Sequence, residues 1–378
     1  MKKPLYLILF LTLVYSCGPK QDKVERIIED GVEVVVNQIE PYRIEKENLL
    51  LLEEVFRIDT EDEEILNFGI PDIFGFEVNS EEEIFILRNV TGEGDFVYKF
   101  NSNGKFVKSF GPFGEGPGEF QNPHHISVDD KDNILVVDLG PQKLLKYDSD
   151  GIFIEDRQMG NENYRFASGP RNKMLAQGMS IEPVNETAVY TFSLKLLDPD
   201  FEELHVIDQF SFEVNKKKFR ASDPFFCWSS SKDYIYVANE NRGYEIWVFD
   251  INGKLIRKIR KEYKKIPISE DYKTKILNPM PEFMKEAAFF PEFYSPFQSI
   301  TAGEDGKLLV FTFEKGKNPG EFMVDIFNED GVFITRKSLN IYVWEGHLWA
   351  RIQSDKLYCL EEKETGYKEL VVYRMNWE

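Results

Sequence analysis

The sequence predicts an all-β chain folded as one six-bladed β-propeller, and three observations carry that expectation. A four-strand unit recurs six times between residues 75 and 376. The recurring turns hold glycine at one fixed phase. A segment ahead of the first unit, LLEEVFRID (51–59), supplies the strand that the last unit lacks. Internal repetition of this period is the signature of a blade or solenoid architecture.

The outer half of the unit is the clearest. KFNSNGKFVKSF (99–110) recurs as KYDSDGIFIEDR (146–157), VFDINGKLIRKI (248–259) and IFNEDGVFITRK (326–337), and a degenerate copy, LLDPDFEELHVI (196–207), lacks the glycine. Each copy reads as strand, Asx-x-x-Gly turn, strand, with glycine where the turn needs positive φ. These acidic turns superficially resemble calcium loops, but they lack the alternating oxygen ligands and distal glutamate of an EF-hand, so a hairpin is the better reading.

The inner half is ISVDDKDNILVVD (126–138), matched by FEVNSEEEIFILR (76–88) and ITAGEDGKLLVFT (300–312). FASGPRNKMLAQG (166–178), FCWSSSKDYIYVA (226–238) and WARIQSDKLYCL (349–360) follow it more loosely. The blades are thus 75–110, 126–158, 165–208, 225–260, 297–337 and 347–376. The last ends in ELVVYRM (369–375) and is completed by 51–59, which closes the ring and removes an exposed sheet edge.

FGPFGEGPGEFQNPHHISVDDKDNILVVD (110–138) could be read as a phosphate loop. A dinucleotide loop needs a helix after its glycines, so that the helix N-terminus faces the phosphate. Here a strand follows, and Glu115 and Glu119 would repel an anion. The segment is the crossover from the rim of one blade to the inner strand of the next. It resembles an NHL repeat, with Gly-x-Gly-Glu-Phe, then Pro, then hydrophobic-x-Val-Asp and Asn-Ile-x-Val-x-Asp strands. The chain after Cys17 is similar to six-bladed, NHL-repeat-like propeller lipoproteins of Gram-negative bacteria, including VERIIEDGVEVVVN near its start and PEFYSPF before blade five. That resemblance implies the fold and an envelope location, but no single activity.

The N-terminus agrees. Lys2 and Lys3 precede an apolar run, Leu5 to Tyr15, and Val14-Tyr15-Ser16-Cys17 ends it. The run falls short of the ~20 residues a spanning helix needs, so it reads as a secretory signal. A cysteine behind a small residue looks like a lipobox, which makes Cys17 the acylated first mature residue. The expected organisation is a signal peptide at 1–16, a lipidated stalk at 17–49 with a short hairpin around Glu29-Asp30-Gly31, and the propeller at 50–378. The expected attachment is to the outer membrane, facing the periplasm, with surface display the alternative. Loss of Lys2 and Lys3 takes the formal charge from −20 to −22. That acidity argues against nucleic acid. Cys227 and Cys359 then remain as buried free thiols in apolar strands.

Candidate site residues follow from aligning the blades. Phe74, His124, Tyr164, Phe225, Gln298 and His347 ring the channel mouth, and His125, Arg165 and Ser299 lie one step further in. Arg88, Asp138, Gln142, Asn239 and Arg242 approach from the second-to-third strand loops. Aromatics, imidazoles, arginines and an amide suit a polar small ligand, a peptide or a glycan. Pro123-His124 matches a dipeptide that in NHL-type amidating lyases supplies a metal ligand. Zinc catalysis needs about three protein ligands around an open position, and only His347 occupies an equivalent place. Calcium of the gluconolactonase-like kind needs carboxylates and amides that are scarce at the mouth. No Gly-x-Ser-x-Gly elbow is present. The expectation is a monomeric, cofactor-free binding or scaffolding module, with a metal-assisted lyase or hydrolase at the mouth as the alternative. Residues 261–296 interrupt the repeat. Ser269 and Pro281 mark two helix starts there, and the segment is expected either to cap the mouth, with Phe283, Phe289 and Phe290 turned towards His124 and His347, or to pack as a flap between blades.

Overall fold

A computed structural model describes residues 24–42, 50–70, 72–88, 94–159, 163–185, 187–215, 218–222, 225–340, 343–344, 347–348 and 350–377. The signal segment and Cys17 lie outside them. Six sheets surround a channel, and the strands of each blade follow one another from channel to rim. Blade one is Ile73–Val78, Ile84–Arg88, Asp95–Phe100 and Phe106–Pro112. Blade two is Pro123–Val128, Ile134–Asp138, Lys143–Tyr147 and Phe153–Gln158. Blade three is Asn163–Ser168, Met174–Val184, Thr187–Leu197 and Glu203–Asn215. Blade four is Phe226–Ser230, Tyr234–Asn239, Glu245–Asp250 and Leu255–Lys261, and blade five is Ser299–Ala302, Leu308–Lys315, Glu321–Phe327 and Phe333–Asn340. Blade six is Ala350–Gln353, Lys356–Glu362 and Lys368–Trp377, completed at its rim by Leu50–Asp59. The six-bladed propeller and its closing strand are as the repeat predicts.

The strand sequences follow from where each strand sits. IFILR (84–88) and ILVVD (134–138) are buried throughout, because a second strand is flanked by a neighbouring blade on both faces. Rim strands alternate or are largely exposed, as FIEDRQ (153–158) shows. The apolar core is therefore divided among the six seams. Phe85, Phe120, Ile126 and Tyr147 fill the seam of blades one and two, and Ile58, Phe76, Tyr358 and Leu360 fill that of blades six and one. The four remaining clusters occupy the other seams.

The fixed glycine phase has a packing cause as well as a conformational one. Gly104, Gly151, Gly253 and Gly331 all have φ between +72° and +79°. A Cβ at each would meet the rim strand of the preceding blade, at Phe56, Phe110, Ile207 and Ile259 respectively. The degenerate copy solves the same contact differently. Phe201 takes φ +65° and reaches back to blades two and three, with its ring 5.1 Å from the Arg157 guanidinium and 5.9 Å from Phe166.

One boundary differs from the sequence expectation. The hairpin around Glu29-Asp30-Gly31 exists, as Glu25–Glu29 against Val32–Asn37, but it is not a separate stalk. Val32–Asn37 runs parallel to Leu255–Lys261 and makes blade four a six-stranded sheet. Val34 and Val35 are fully buried. The Asn37 amide donates to Gly331 O (2.9 Å) and accepts from Phe333 N (2.8 Å), which ties the hairpin to blade five. Arg260 bonds both Glu29 and Glu245. A VEVVV run is apolar on both faces, and in a free stalk one face would stay in water. Docking on the rim covers it.

Candidate functional site

The face on which the inner strands begin is called the top. Rim-to-channel crossovers and second-to-third strand loops open there, and the Asx-Gly turns lie on the opposite face. At the crossover from blade one to blade two, the glycine-rich segment wraps Phe120, which is fully buried. Gly114 N donates to Phe120 O (2.9 Å), Phe120 N donates to Pro112 O (2.9 Å), and Tyr147 Oη donates to Gly118 O (2.9 Å). The loop's own Glu119 carboxylate accepts from Gly116 N at 2.8 Å. That is the place an anion would take in a phosphate loop, so the segment is a self-satisfied crossover.

Several predicted site residues are consumed by the fold. Asp138 is fully buried and accepts from Gln121 N (2.7 Å), Asn122 N (2.8 Å) and Gly140 N (3.0 Å). It terminates the crossover and is not free for a ligand. Gln298 is also buried; its Nε2 donates to Thr312 O (2.5 Å), and its carbonyl lies 3.4 Å from the Cys227 thiol. Arg242 bonds Asp208 of blade three (2.5 Å) and lies 4.0 Å over Trp247, with Asn239 Nδ2 also near Asp208 (3.4 Å). Burial depresses the pKa of Arg242 while Asp208 opposes that shift. Arg88 is buried, with its guanidinium 4.8 Å from the Phe96 ring. Phe225 is buried edge-on to Phe313 at 5.3 Å. Arg242, Phe225 and Gln298 join neighbouring blades, while Asp138 and Arg88 are held by contacts of their own blade and its crossover, and sequence position alone could not distinguish these roles from lining.

Others lie at the top ends of the inner strands. Phe74 and His124, from the first two inner strands, meet edge to face with centroids 5.1 Å apart. His124 stays exposed, and desolvation on its packed side holds its pKa below the ordinary imidazole value. His125 points the other way along the strand, is buried, and its Nε2 lies 2.8 Å from Phe166 O of blade three. Arg165, half-buried, stacks 4.7 Å over Trp228, whose indole Nε1 donates to Gln177 Oε1 (2.7 Å). Tyr164 belongs to the inner strand of blade three; its side chain is outside the described residues. His347, whose side chain is likewise not described, lies in a short ladder with Val343–Trp344, three residues ahead of blade six's inner strand. Among the described residues no three His, Cys, Asp or Glu side chains converge as a metal site would require. Burial pushes the Cys227 thiol up to about 12, and Cys359 is also raised. Both are free.

Two features rise over the top face. In blade three, Met174–Val184 and Thr187–Leu197 pair along their full length, while the described residues of the inner strand reach only as far as Gly178. Three strands therefore project beyond the ring. The signal was present in the sequence, since FASGPRNKMLAQG (166–178) and LLDPDFEELHVI (196–207) stand further apart than the matched halves of the other blades. The second feature is the insertion. Its helices are Glu270–Leu277, capped by Ser269 through Tyr272 N, and Glu282–Ala287 behind Pro281. Tyr294 stacks on Phe313 of blade five at 4.3 Å, and Tyr272 packs on Tyr294 and Phe290. Ala288–Phe289 pairs with Phe219–Arg220 of the crossover between blades three and four. The three phenylalanines do not turn together towards His124. Phe283 is 74% exposed, Phe289 is 39% exposed, and Phe290 packs within the insertion. The segment caps blades four and five, held by tyrosines that the repeat pattern did not single out.

A cavity of about 150 Å³ lies on the bottom face between blades five and six, lined by Asp305, Lys307, Asp355 and Trp377 among others. The Lys307 ammonium lies 4.9 Å over the Trp377 ring.

A family described as 6-bladed beta-propeller (DUF5128) matches residues 59–214, which is blades one to three with the closing strand's end. A solved member of the DUF4221 family from Bacteroides vulgatus is similar over 88% of this chain and 99% of its own, with 14% identity and a TM-score of 0.54. This chain is a six-bladed β-propeller. A streptogramin B lyase matches at 11% identity over 86% of this chain and 98% of its own, with a TM-score of 0.44. A PQQ-bound aldose sugar dehydrogenase from Streptomyces coelicolor matches at 9% identity over 87% and 99%, with a TM-score of 0.45. At such identities the propeller shares its fold with the first of these, and the activities in the other names are theirs. No curated protein matches the sequence. Among the described residues no helix is long and apolar enough to cross a membrane.

Proposed function

We propose that this propeller is a binding module that holds a peptide, glycan or protein partner through its top face. One observation carries the reading: the two faces are built unequally. On the bottom, blades turn through tight hairpins whose backbone is satisfied locally, as in Asn101, Asp148, Asp250 and Asn328. On the top stand the long sheet of blade three, the insertion over blades four and five, an exposed His124 against Phe74, and Arg165 over Trp228. Elaborated loops on a rigid scaffold are where recognition is usually placed. A photo-crosslinking residue at His124 should capture a partner in the native host, and one at Asp150 in a bottom turn should not. Equal capture from both faces, or capture from the bottom alone, would remove the reading.

The module is proposed to be held at the envelope by acylated Cys17. Support comes from the leader sequence, in which Ser16-Cys17 follows the apolar run Leu5 to Tyr15. Stable anchoring takes more than one acyl chain. Cys17→Ala should move the protein from the membrane fraction to the soluble or unprocessed fraction. Unchanged fractionation would refute acylation.

A further inference from the structure

We infer that the projecting sheet of blade three binds an extended polypeptide by strand addition, which rests on the top-face binding reading and gives it a ligand class. The inner strand Asn163–Ser168 pairs with Met174–Val184 only as far as Gly178. Beyond it, Met179–Val184 is bonded to Thr187–Leu197 on one side, and among the described residues nothing pairs with the other side. Because the inner strand is the channel-side neighbour, that open edge looks inward over the mouth. Its usable length is Met179–Glu182, since Pro183 has no N–H to offer a ladder. Ser180, Ile181 and Glu182 are exposed there, Ile181 by 52%.

The chemistry of the added strand follows from the register. Met179 stands opposite Phe192, which faces Phe210, and Ile181 stands opposite Tyr190, which faces Phe212. Tyr190 and Phe192 stack on Phe212 at 5.4 and 5.9 Å, so this surface is a rigid aromatic floor that Ile181 extends to the edge. The other surface carries Ser180 beside Thr191 and Ser211, then Glu182 and Glu213 flanking Val189. A strand laid on this edge alternates its side chains between the two surfaces. It therefore needs apolar residues on the Ile181 side and basic residues on the Glu182 side. Main-chain bonds supply affinity in such additions and alternate pockets supply specificity. A second copy of this chain is a poor occupant, because its own edge would bring Glu182 and a net charge of −20 against the same.

The test uses the full chain and a defined probe, an end-blocked peptide of alternating lysine and valine. Controls are a block-ordered peptide of the same composition and an alternating peptide N-methylated at every second residue. The alternating peptide should bind at least tenfold more tightly than either control and should protect from hydrogen exchange those amides of Met179–Glu182 that point to the open edge and not to Thr187–Leu197. Ile181→Pro should weaken it at least tenfold, and Ile181→Asp, which keeps the backbone donor, should weaken it through the apolar side alone. Protection of these amides without peptide, equal binding by both variants, or a dimer that Ile181→Pro dissolves would each overturn the inference. Binding lost in His124→Ala or Arg165→Ala but kept in Ile181→Pro would overturn strand addition while leaving the top-face reading standing.

Discussion

Gly151 and Gly366 share a backbone and differ in surroundings, which separates two costs that glycine can hide. Their φ values are +72° and +86°. A methyl group at Gly151 would overlap the Phe110 ring of the preceding blade, whereas at Gly366 nothing lies within 4 Å. Gly366→Ala should lose only the left-handed backbone term, on the order of 1–2 kcal/mol. Gly151→Ala adds overpacking to that term and should lose about 2–5 kcal/mol in all. Urea unfolding of both variants measures the difference, and equal losses would mean that the turn is not held against blade one. The same reading applies to site residues. Asp138 and Gln298 were legible as polar groups near the mouth. Their roles were not, because whether a carboxylate caps a loop or faces a channel depends on backbone N–H groups such as those of Gln121 and Asn122.

At the level of elements, strands were legible where their environment is repetitive. IFILR and ILVVD read as strands because both faces are covered by neighbouring blades, and the closing strand 51–59 was recognisable as the member missing from blade six. The VEVVV strand was legible as a strand but not in its place. Its partner, Leu255–Lys261, is more than two hundred residues away and pairs with it in parallel, and no local pattern encodes a parallel neighbour at that distance. The projecting strands of blade three were hidden for a different reason. Aligning repeats rewards what matches, and Met179–Val184 is what the other blades do not have. The insertion lies between these cases. Its helix starts were marked by Ser269 and Pro281, while its docking through Tyr294 onto Phe313 depends on which blade lies beneath it.

A propeller is stable only as a closed ring, and closure rests on one seam joining the chain's two ends. Leu50–Asp59 pairs with Lys368–Trp377 at the rim. Thr60 Oγ1 donates to Lys368 O (2.7 Å), Lys363 bonds Asp59 (2.8 Å), and Lys368 bonds Asp72 (3.0 Å). Near the channel, Arg351 of blade six meets Glu77 of blade one, with Nε 2.8 and 2.9 Å from its two oxygens and Nη2 2.5 Å from Oε1. Neutral bonds occur at other inner-strand seams, such as Ser230 Oγ to Ser168 O and Ala302 N to Ser229 Oγ. The Glu77 carboxylate raises the pKa of Arg351 against the burial that would lower it, so the guanidinium remains charged in the seam. Removing one partner of a buried pair strands the other, typically at a cost of about 3–5 kcal/mol, whereas replacing both with apolar groups of similar volume is often close to neutral. Glu77→Ala should therefore lower the unfolding midpoint sharply, and Glu77→Leu with Arg351→Met should restore most of it. If the pair only decorates a ring already closed by its rim strands, Glu77→Ala will cost less than about 1 kcal/mol, as an exposed ion pair would. That outcome would place the closure of the ring in the backbone ladder of Leu50–Asp59 alone.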